Sequence, residues 1–398
     1  MAVESNGGKT AAQPSSRKKV KRAIAIAFLA LLAAVGIAMG VAFGNGDLAP
    51  VDAAAKYSGF NYIFEDEVSD YISLYREQMG LAESNDEDWA TFLAAYNLTP
   101  ARLRYSTIQQ ILTDKLVQSK ADELGLDASE EEVDATVGTL RDSLGLGDDE
   151  ILRQTLEAHG QTEEGLREVY RKAIVKRLVL SAEVETPTPS DDQVREYLVE
   201  YVPTLETALV RHTYCFRLSG RENDANREKV TLVNRLRDEF TRSGKTVDAF
   251  AQMVAQYSDD EDLVANNGAN GWDADTTGYS ASYVEALSDL GEGDVSSVFV
   301  EDDSYVFIWV DDAYTLPVNE KAARALDPSE VPPSLWSYLR DLTAYKLWEE
   351  AGDEYLAKLV EDADVVYYPM PSNVPYNVDM SLANVQLEEI EQADSDGQ

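Results

Sequence analysis

The chain has 398 residues, of which 44 % are hydrophobic and 27 % charged, so it is long enough for two or three domains and is not a disordered chain. Acidic side chains outnumber basic ones by 73 to 34, and the net charge of −39 argues against nucleic acid as a partner because phosphates would be repelled. The single cysteine, Cys215, excludes an internal disulfide, so burial alone must hold the folds together.

The N-terminal segment predicts a single-pass membrane anchor. A basic tail at 1–22 precedes an uncharged apolar block at 23–43, which as a helix would reach roughly 31 Å, about one hydrocarbon core. The apolar part of a secretory signal is shorter, so an uncleaved signal anchor is favoured, although the Ala53-Ala54-Ala55 run keeps cleavage open. Because basic residues precede the block, the tail is expected on the cytoplasmic side of the cell membrane and the bulk of the chain on the extracytoplasmic side.

The part of the chain that follows the basic tail is strongly acidic. It carries 28 basic and 72 acidic side chains, a net charge of −44. A field of that strength keeps a chain soluble and also favours basic or unfolded cationic partners at long range. The sequence leaves open whether the acidic charge serves solubility alone or also attracts such partners.

Helix start and stop signals follow one another over residues 57–203. Residues that cap helix N-termini precede apolar stripes at several points: Thr99, Ser129, Thr162 and Ser190. Gly125 and Gly145 follow the first two stripes, as expected where a left-handed residue ends a helix. The pattern predicts an all-helical module of short amphipathic helices over 57–203.

The pattern changes after this module. A strand-rich segment at 206–218 is followed by helical spacing at 225–243 and 247–257, and a short helix near Tyr283 precedes two strand-like runs. The order strand, helices, loop, helix, strand, strand predicts a small α+β domain with an antiparallel sheet.

The chain becomes helical again within 330–367, where apolar residues line one side of the segment 334–361. A lone amphipathic helix cannot bury its apolar side by itself, so this helix is expected to pack back on the helical module. The last residues, 387–398, form an acidic tail that is expected to be disordered.

The loop at 257–272, YSDDEDLVANNGANGW, resembles a loop of parvulin-type (PpiC-like) peptidyl-prolyl isomerase domains, which runs Tyr-Ser-x-Asp and then Gly-Gly-x-Leu-Gly-Trp. Six positions match it: Tyr257, Ser258, Asp260, Gly268, Gly271 and Trp272. The family's strand motif around an arginine and a histidine resembles residues 211–214, and its Gly-Glu-Ile-Ser resembles 293–296. By the order and spacing of these matches, 204–315 resembles a parvulin domain.

The flanking segments resemble proteins that carry such a domain. A membrane segment, a helical module, a parvulin domain and a returning helix are the layout of SurA- and PrsA-like extracytoplasmic foldases. The resemblance implies an α+β chain in which a chaperone module at 57–203, completed by the helix at 330–367, carries an inserted domain at 204–315. It also implies unfolded or newly exported polypeptides as partners, contact with the membrane through the N-terminal helix, and no cofactor.

The resemblance also implies which residues would bind and act on a proline-containing peptide. His212 matches the first of two family histidines and Asp260 matches the family's acidic position, so these two are the candidate catalytic residues. The second histidine is replaced by Val306. Polar side chains replace apolar ones at three pocket positions, and the candidate substrate-binding residues are Asn270, Trp272, Tyr279, Tyr283 and Val306. These departures imply a wetter site and a degenerate isomerase.

Other interpretations stay open. The chain could be a working prolyl isomerase of the same architecture, or a non-catalytic envelope scaffold. His212 could be a strand histidine bonded to a neighbouring group, and Asp260 could shape its own loop. A near-miss of a calcium loop begins at Asp273, but Glu285 falls at position thirteen where position twelve is needed. Two histidines, His159 and His212, are too few for a zinc site, so no metal is predicted.

Overall fold

The computed structural model describes residues 50–384, apart from 82–83, 144–148, 158–160, 206–207, 221–225, 274–278 and 302. The predicted anchor at 23–43 and the predicted tail at 387–398 lie outside these residues, as do His159 and part of the calcium-like segment. Across the described ranges, no helix is long and apolar enough to cross a bilayer. The chain forms two compact units, the second of which is Thr186–Glu349.

The first unit contains most of the predicted helical module. Its helices before residue 186 are α1 (Glu65–Gln78), α2 (Asp86–Ala95), α3 (Pro100–Leu124), α4 (Glu130–Ser143), α5 (Asp149–Glu157) and α6 (Glu163–Glu183). Thr99 caps α3 by accepting the N–H of Arg102 at 3.2 Å, and Gly125, with φ +67°, ends that helix. Thr162 caps α6 by accepting the N–H of Gly165 at 3.0 Å. Local signals therefore define where these helices begin and end.

The first unit also contains a three-stranded antiparallel sheet. The prediction of an all-helical module was therefore wrong in this respect. Strand β1 (Ala53–Tyr57) is central, between β2 (Asn61–Phe64) and a C-terminal strand, Val366–Tyr367. Ala53, Ala54 and Ala55 are the buried start of β1, with exposed fractions of 8 %, 0 % and 0 %. Alanine is depleted in strands in general, so pairing with β2 on one side and with the C-terminal strand on the other stabilises this conformation.

A buried ion pair joins distant parts of the first unit. Arg104 on α3 and Glu65 at the start of α1 are each 6 % exposed, and Nε of Arg104 donates to Oε1 of Glu65 at 2.9 Å. The hydroxyl of Tyr376 donates to Oε2 of the same carboxylate at 3.0 Å. Arg104 also donates to the carbonyl of Tyr368 at 3.1 Å. These contacts hold the C-terminal segment that contains Tyr368 and Tyr376 against α1 and α3.

The second unit is built around a four-stranded sheet. Its elements are α7 (Asp191–Tyr201), β3 (Leu209–Ser219), α8 (Asn226–Arg242), α9 (Val247–Tyr257), α10 (Glu261–Ala265), β4 (Ala269–Asp273), α11 (Ala281–Ser288), β5 (Phe299–Glu301), β6 (Ser304–Thr315) and α12 (Glu320–Arg324). The sheet is antiparallel, in the order β4-β3-β6-β5. The predicted α+β class with a small antiparallel sheet is therefore confirmed.

Helices cover both faces of this sheet. On one face, α8 and α9 pack on Phe216 of β3 and Phe307 of β6. On the other face, α11 packs on Val306 and Ile308 of β6. Neighbouring residues of β6 are therefore buried on opposite sides, which explains why its sequence is a continuous apolar run and not an alternating one.

A long helix, α13 (Pro333–Glu361), begins in the second unit and ends in the first. Its first half packs against α7 through four buried residues: Val194, Leu198, Leu335 and Leu339. The sequence pattern placed α7 in the preceding module, but these contacts place it in the second unit. In the first unit, the backbone of α13 at Gly352 lies against the side chain of Leu180 on α6.

Candidate functional site

Strand β3 sends its side chains alternately to the two faces of the sheet. Odd positions face α11, since the hydroxyl of Thr213 lies 3.3 Å from that of Tyr283 and Cys215 packs in the same apolar cluster as Tyr283. Even positions face the other side, where Tyr214 and Phe216 pack with α8 and α9. Each predicted site residue can therefore be assigned to one face.

Four polar side chains meet beneath α11 and form the tyrosine cluster: Thr213, Asn270, Tyr279 and Tyr283. Nδ2 of Asn270 lies 2.9 Å from the hydroxyl of Tyr283 and 3.2 Å from that of Tyr279. The two tyrosine rings stack, with centroids 4.4 Å apart and planes 12° apart. Val306 is fully buried in the same apolar cluster as Tyr283. The structure thus brings together four of the five predicted substrate-binding residues.

A bulge in β4 places Asn270. The register between β3 and β4 shifts here, because Thr213 pairs with Gly271 while Tyr214 pairs with Ala269, which makes Asn270 the extra residue. Just before it, Gly268 has φ +80°, and a Cβ at that position would lie 2.7 Å from a ring carbon of a buried phenylalanine. The glycine of the parvulin-like loop is therefore required by the fold itself.

A charged group lies further along the same face. The guanidinium of Arg217 pairs with Glu301, which is 8 % exposed, and its Nε lies 3.6 Å from Oδ2 of Asp260. Glu301 also accepts from the hydroxyl of Ser280, the residue that caps α11. Asp260 accepts the N–H of Leu263 at 2.9 Å and so caps α10. Asp260 therefore shapes its own loop, and its catalytic role stays a prediction.

His212 and Trp272 lie on the face opposite the tyrosine cluster. They are cross-strand partners, and their ring centroids are 5.4 Å apart. Nδ1 of His212 lies 2.6 Å from Oδ1 of Asp311, the extra residue of a bulge in β6. Burial, and secondly the charge of Asp311, raise the pKa of the adjacent Tyr214. His212 is thus engaged by a carboxylate away from the cluster, and its catalytic role also stays a prediction.

The two candidate catalytic residues do not meet in one cleft. Arg217, the partner of Asp260, is five positions from His212 on β3, a separation of roughly 16 Å along the strand. His212 and Arg217 also face opposite sides of the sheet, because they occupy even and odd positions of β3. One peptide bond could not contact both His212 and Asp260 in this arrangement.

Sequence reasoning missed Thr213, Arg217 and Glu301. The alternation of β3 could have predicted the first two, since Thr213, Cys215 and Arg217 share one face of the strand. Glu301 has no comparable signal, because its partner Arg217 lies 84 positions earlier. Within the described ranges, no three His, Cys, Asp or Glu side chains come together as a metal site would require.

Comparison with known proteins shows which proteins this chain is similar to. Residues 15–180 match the family model of the SurA-like N-terminal domain. This part of the chain is therefore similar to a SurA-like N-terminal domain. The foldase protein PrsA of Clostridium perfringens, in two strains, is 26 % identical to it over 199 residues, which cover 48 % of this chain and 54 % of the relative. The predicted resemblance to SurA/PrsA-like foldases is confirmed, and the chain spans about half the length of the curated relatives it matches.

Solved structures of PrsA proteins and of a SurA-like chaperone are also similar to this chain. PrsA from Bacillus subtilis is 15 % identical, with a TM-score of 0.39, and the match covers 66 % of this chain and 86 % of that one. A SurA-like chaperone from Campylobacter jejuni is 12 % identical, with a TM-score of 0.35, and the match covers 80 % and 99 %.

Proposed function

We propose that the chain is a membrane-anchored extracytoplasmic foldase that binds unfolded, newly exported polypeptides, and that its parvulin-like domain binds peptide without isomerising proline bonds. The SurA-like N-terminal domain and the relatives named foldase support the chaperone part of this proposal. The net charge of −44 beyond the basic tail supports a preference for basic, unfolded segments, because it attracts cations at long range.

The tyrosine cluster is the observation that carries the non-catalytic part of the proposal. Rotation about a peptide bond meets a barrier of about 20 kcal/mol, and catalysis needs a grip on the proline ring and groups that favour the twisted amide. By the resemblance, the ring would enter where Asn270 is hydrogen-bonded to Tyr279 and Tyr283. Tyr283 is buried, Tyr279 is half-buried and Asn270 is exposed. A proline ring bound between them would break these hydrogen bonds and take the groups out of water, at about 1–3 kcal/mol for each group left unsatisfied.

The same groups suit an extended peptide. A side-chain amide and hydroxyls can exchange their mutual hydrogen bonds for bonds to peptide N–H and C=O groups, which every sequence offers. Nearby, the single positive charge of Arg217 faces the two carboxylates of Asp260 and Glu301, so this group carries one excess negative charge. That excess favours a client segment with a basic residue beside its bound backbone.

The first unit supports a retained anchor. Cleavage after the Ala53–Ala55 run would remove the buried start of the central strand β1. It would also remove the carbonyl of Ala54, which accepts the N–H of Tyr368 at 3.0 Å and the guanidinium of Arg104 at 3.4 Å. A chain that began at Lys56 would lose these contacts, so the fold favours an uncut anchor.

Two assays on the full chain test the functional proposal. Aggregation of an unfolded model client is followed by light scattering, and cis/trans exchange of X-Pro peptides is followed by NMR. We expect the chain to suppress scattering and to leave the exchange rate unchanged. Asn270→Leu should weaken the suppression, whereas Asn234→Leu, an exposed position on α8 of the same unit, should leave it unchanged.

Each alternative gives a different result. Faster exchange that Asp260→Ala abolishes would show a working isomerase and overturn the non-catalytic reading. Absence of both effects would favour the envelope scaffold. Equal suppression by the Asn270 and Asn234 variants would retain the chaperone and exclude the tyrosine cluster as its peptide site.

A further inference from the structure

The hairpin of β1 and β2 carries exposed aromatic side chains on its outer face. Phe60 in the turn is 86 % exposed and Phe64 is 36 % exposed, and Tyr62 stands between them on the same strand face. The rings of Tyr62 and Phe64 are 6.2 Å apart. Lys56, the cross-strand partner of Tyr62, places its ammonium group 5.3 Å from the centre of the Phe60 ring. These four residues form the hairpin row.

The inner face of the hairpin is the core of the first unit. Ile63 of β2 and Ala55 of β1 are both fully buried, and they alternate with the residues of the hairpin row. The fold therefore uses one face of the hairpin for its own stability and presents the other outward. Contiguous exposed apolar side chains of this kind mark interaction surfaces in soluble domains.

The short connection to the predicted anchor argues for the membrane surface as the partner. Ten positions separate Phe43, the end of the apolar block, from Ala53 at the start of β1. A fully extended connection of that length spans at most about 36 Å. A chain held by its anchor therefore keeps the hairpin beside the bilayer surface at all times, at a high local concentration.

We infer that the hairpin row lies in the interfacial layer of the membrane that holds the anchor. The inference rests on the proposed anchor. Tyrosine and other amphipathic aromatic rings favour the headgroup layer, and the ammonium of Lys56 can reach lipid phosphates from an apolar surface. Val51, which is 87 % exposed just before β1, adds apolar surface near the anchor.

The charge of the chain agrees with contact at this hairpin. The part beyond the basic tail carries a net charge of −44, so most of its surface is repelled by anionic headgroups. The hairpin row instead combines aromatic rings with a positive charge. Contact through the row would hold the first unit at the membrane in a defined orientation while the acidic remainder stays in solution.

Depth-dependent fluorescence quenching of the full chain in phosphatidylcholine vesicles tests this inference. A fluorophore on Asn61→Cys, beside the row, is quenched by lipids with a nitroxide at the headgroup level. The parent chain serves as the labelling blank, because its Cys215 is buried. We expect strong quenching, and the equilibrium constant for contact of the row with the bilayer should fall at least tenfold when Phe60→Ser and Phe64→Ser remove the rings, because a single aromatic group transferred from water already corresponds to about a tenfold change.

A matched variant controls for the loss of apolar surface elsewhere. Val169→Ser with Leu382→Ser removes two side chains that are 46 % and 45 % exposed in the same unit, and it should leave the quenching unchanged. Circular dichroism verifies that both variants keep the fold. Co-flotation with the vesicles reports the anchor separately and should be equal for all chains.

The outcomes separate the two proposals. A chain that does not float with vesicles would refute the anchor, and the inference with it. A chain that floats without quenching, or whose quenching survives the loss of both rings, would overturn the inference and leave the anchor standing. If the fluorescence of the label on Asn61→Cys responds to an unfolded client and not to the nitroxide lipid, the hairpin row binds clients. That result would also overturn the membrane inference.

Discussion

Loss of Arg104 should destabilise the first unit by about 3–5 kcal/mol, because it leaves the buried carboxylate of Glu65 without its counter-charge. Their side chains are only 7 % and 8 % exposed, so water cannot replace the lost partner without opening the core. The carbonyl of Tyr368 loses its donor as well. The carboxylate would retain the hydroxyl of Tyr376 at 3.0 Å, which compensates only part of a buried charge.

The variants Arg104→Met, Glu65→Leu and their combination form a double-mutant cycle. The double variant removes both charges, so it should recover most of the stability that Arg104→Met loses. Hydrogen exchange followed by mass spectrometry measures the opening free energy of the first unit by itself, which avoids the assumption that the two units unfold together.

An exposed ion pair in the same unit provides the control. Arg153 lies 2.8 Å from Glu157 one helical turn away, and their side chains are 50 % and 58 % exposed. Arg153→Met should therefore change the free energy of unfolding by no more than about 0.5 kcal/mol. If Arg104→Met had an effect as small as this, or if the double variant were less stable than Arg104→Met, the reasoning from burial would be refuted.

Three further predictions concern local features. The hydrogen bond from the indole N–H of Trp336, at 3.1 Å, is the largest cause that lowers the pKa of Asp191. Asp191 therefore stabilises the fold at pH values above its unperturbed pKa of about 4, and this contribution is lost as the pH falls through the lowered pKa of the folded state. Carboxyl NMR titration should show a higher pKa of Asp191 in Trp336→Phe. Gly268→Ala should cost about 2 kcal/mol more than Gly271→Ala in thermal unfolding, because both glycines have positive φ but only the first lacks room for a Cβ; equal costs would contradict this. Thr99→Ala should cost about 1 kcal/mol through the lost cap of α3, seen as faster amide exchange in its first turn.

Helix limits were predictable because their signals are local. Thr99 caps α3 and Gly125 ends it, as the sequence pattern predicts. The capping box of Ser190 with Gln193 likewise forms at the start of α7. Each signal acts within a few residues of the backbone group that it satisfies, so no knowledge of the rest of the fold is needed.

The candidate site was predictable only in part. Asn270, Tyr279 and Tyr283 meet as the resemblance implies, since a loop and the helix after it are close in sequence. The separation of His212 from Asp260 was not predictable, because it depends on the pairing of Asp260 with Arg217, five positions along β3 from His212. The single-residue bulges in β4 and β6 were not predictable either. A bulge changes which face the next side chains meet, and nothing in a short sequence window announces it.

The sequence by itself determined the helical character of the first unit, the α+β class and the strands β3 and β6, because capping residues and apolar runs act locally. Only the tertiary structure decided that three alanines form the buried start of a central strand, and that Arg104, Glu65 and Tyr376 share one buried network. The physical reason is that strand pairing and charge compensation depend on partners that are distant in sequence, from 39 positions for Arg104 and Glu65 to 311 positions for Tyr376 and Glu65. Those contacts are set by the packing of the whole unit and not by the preferences of the residues themselves.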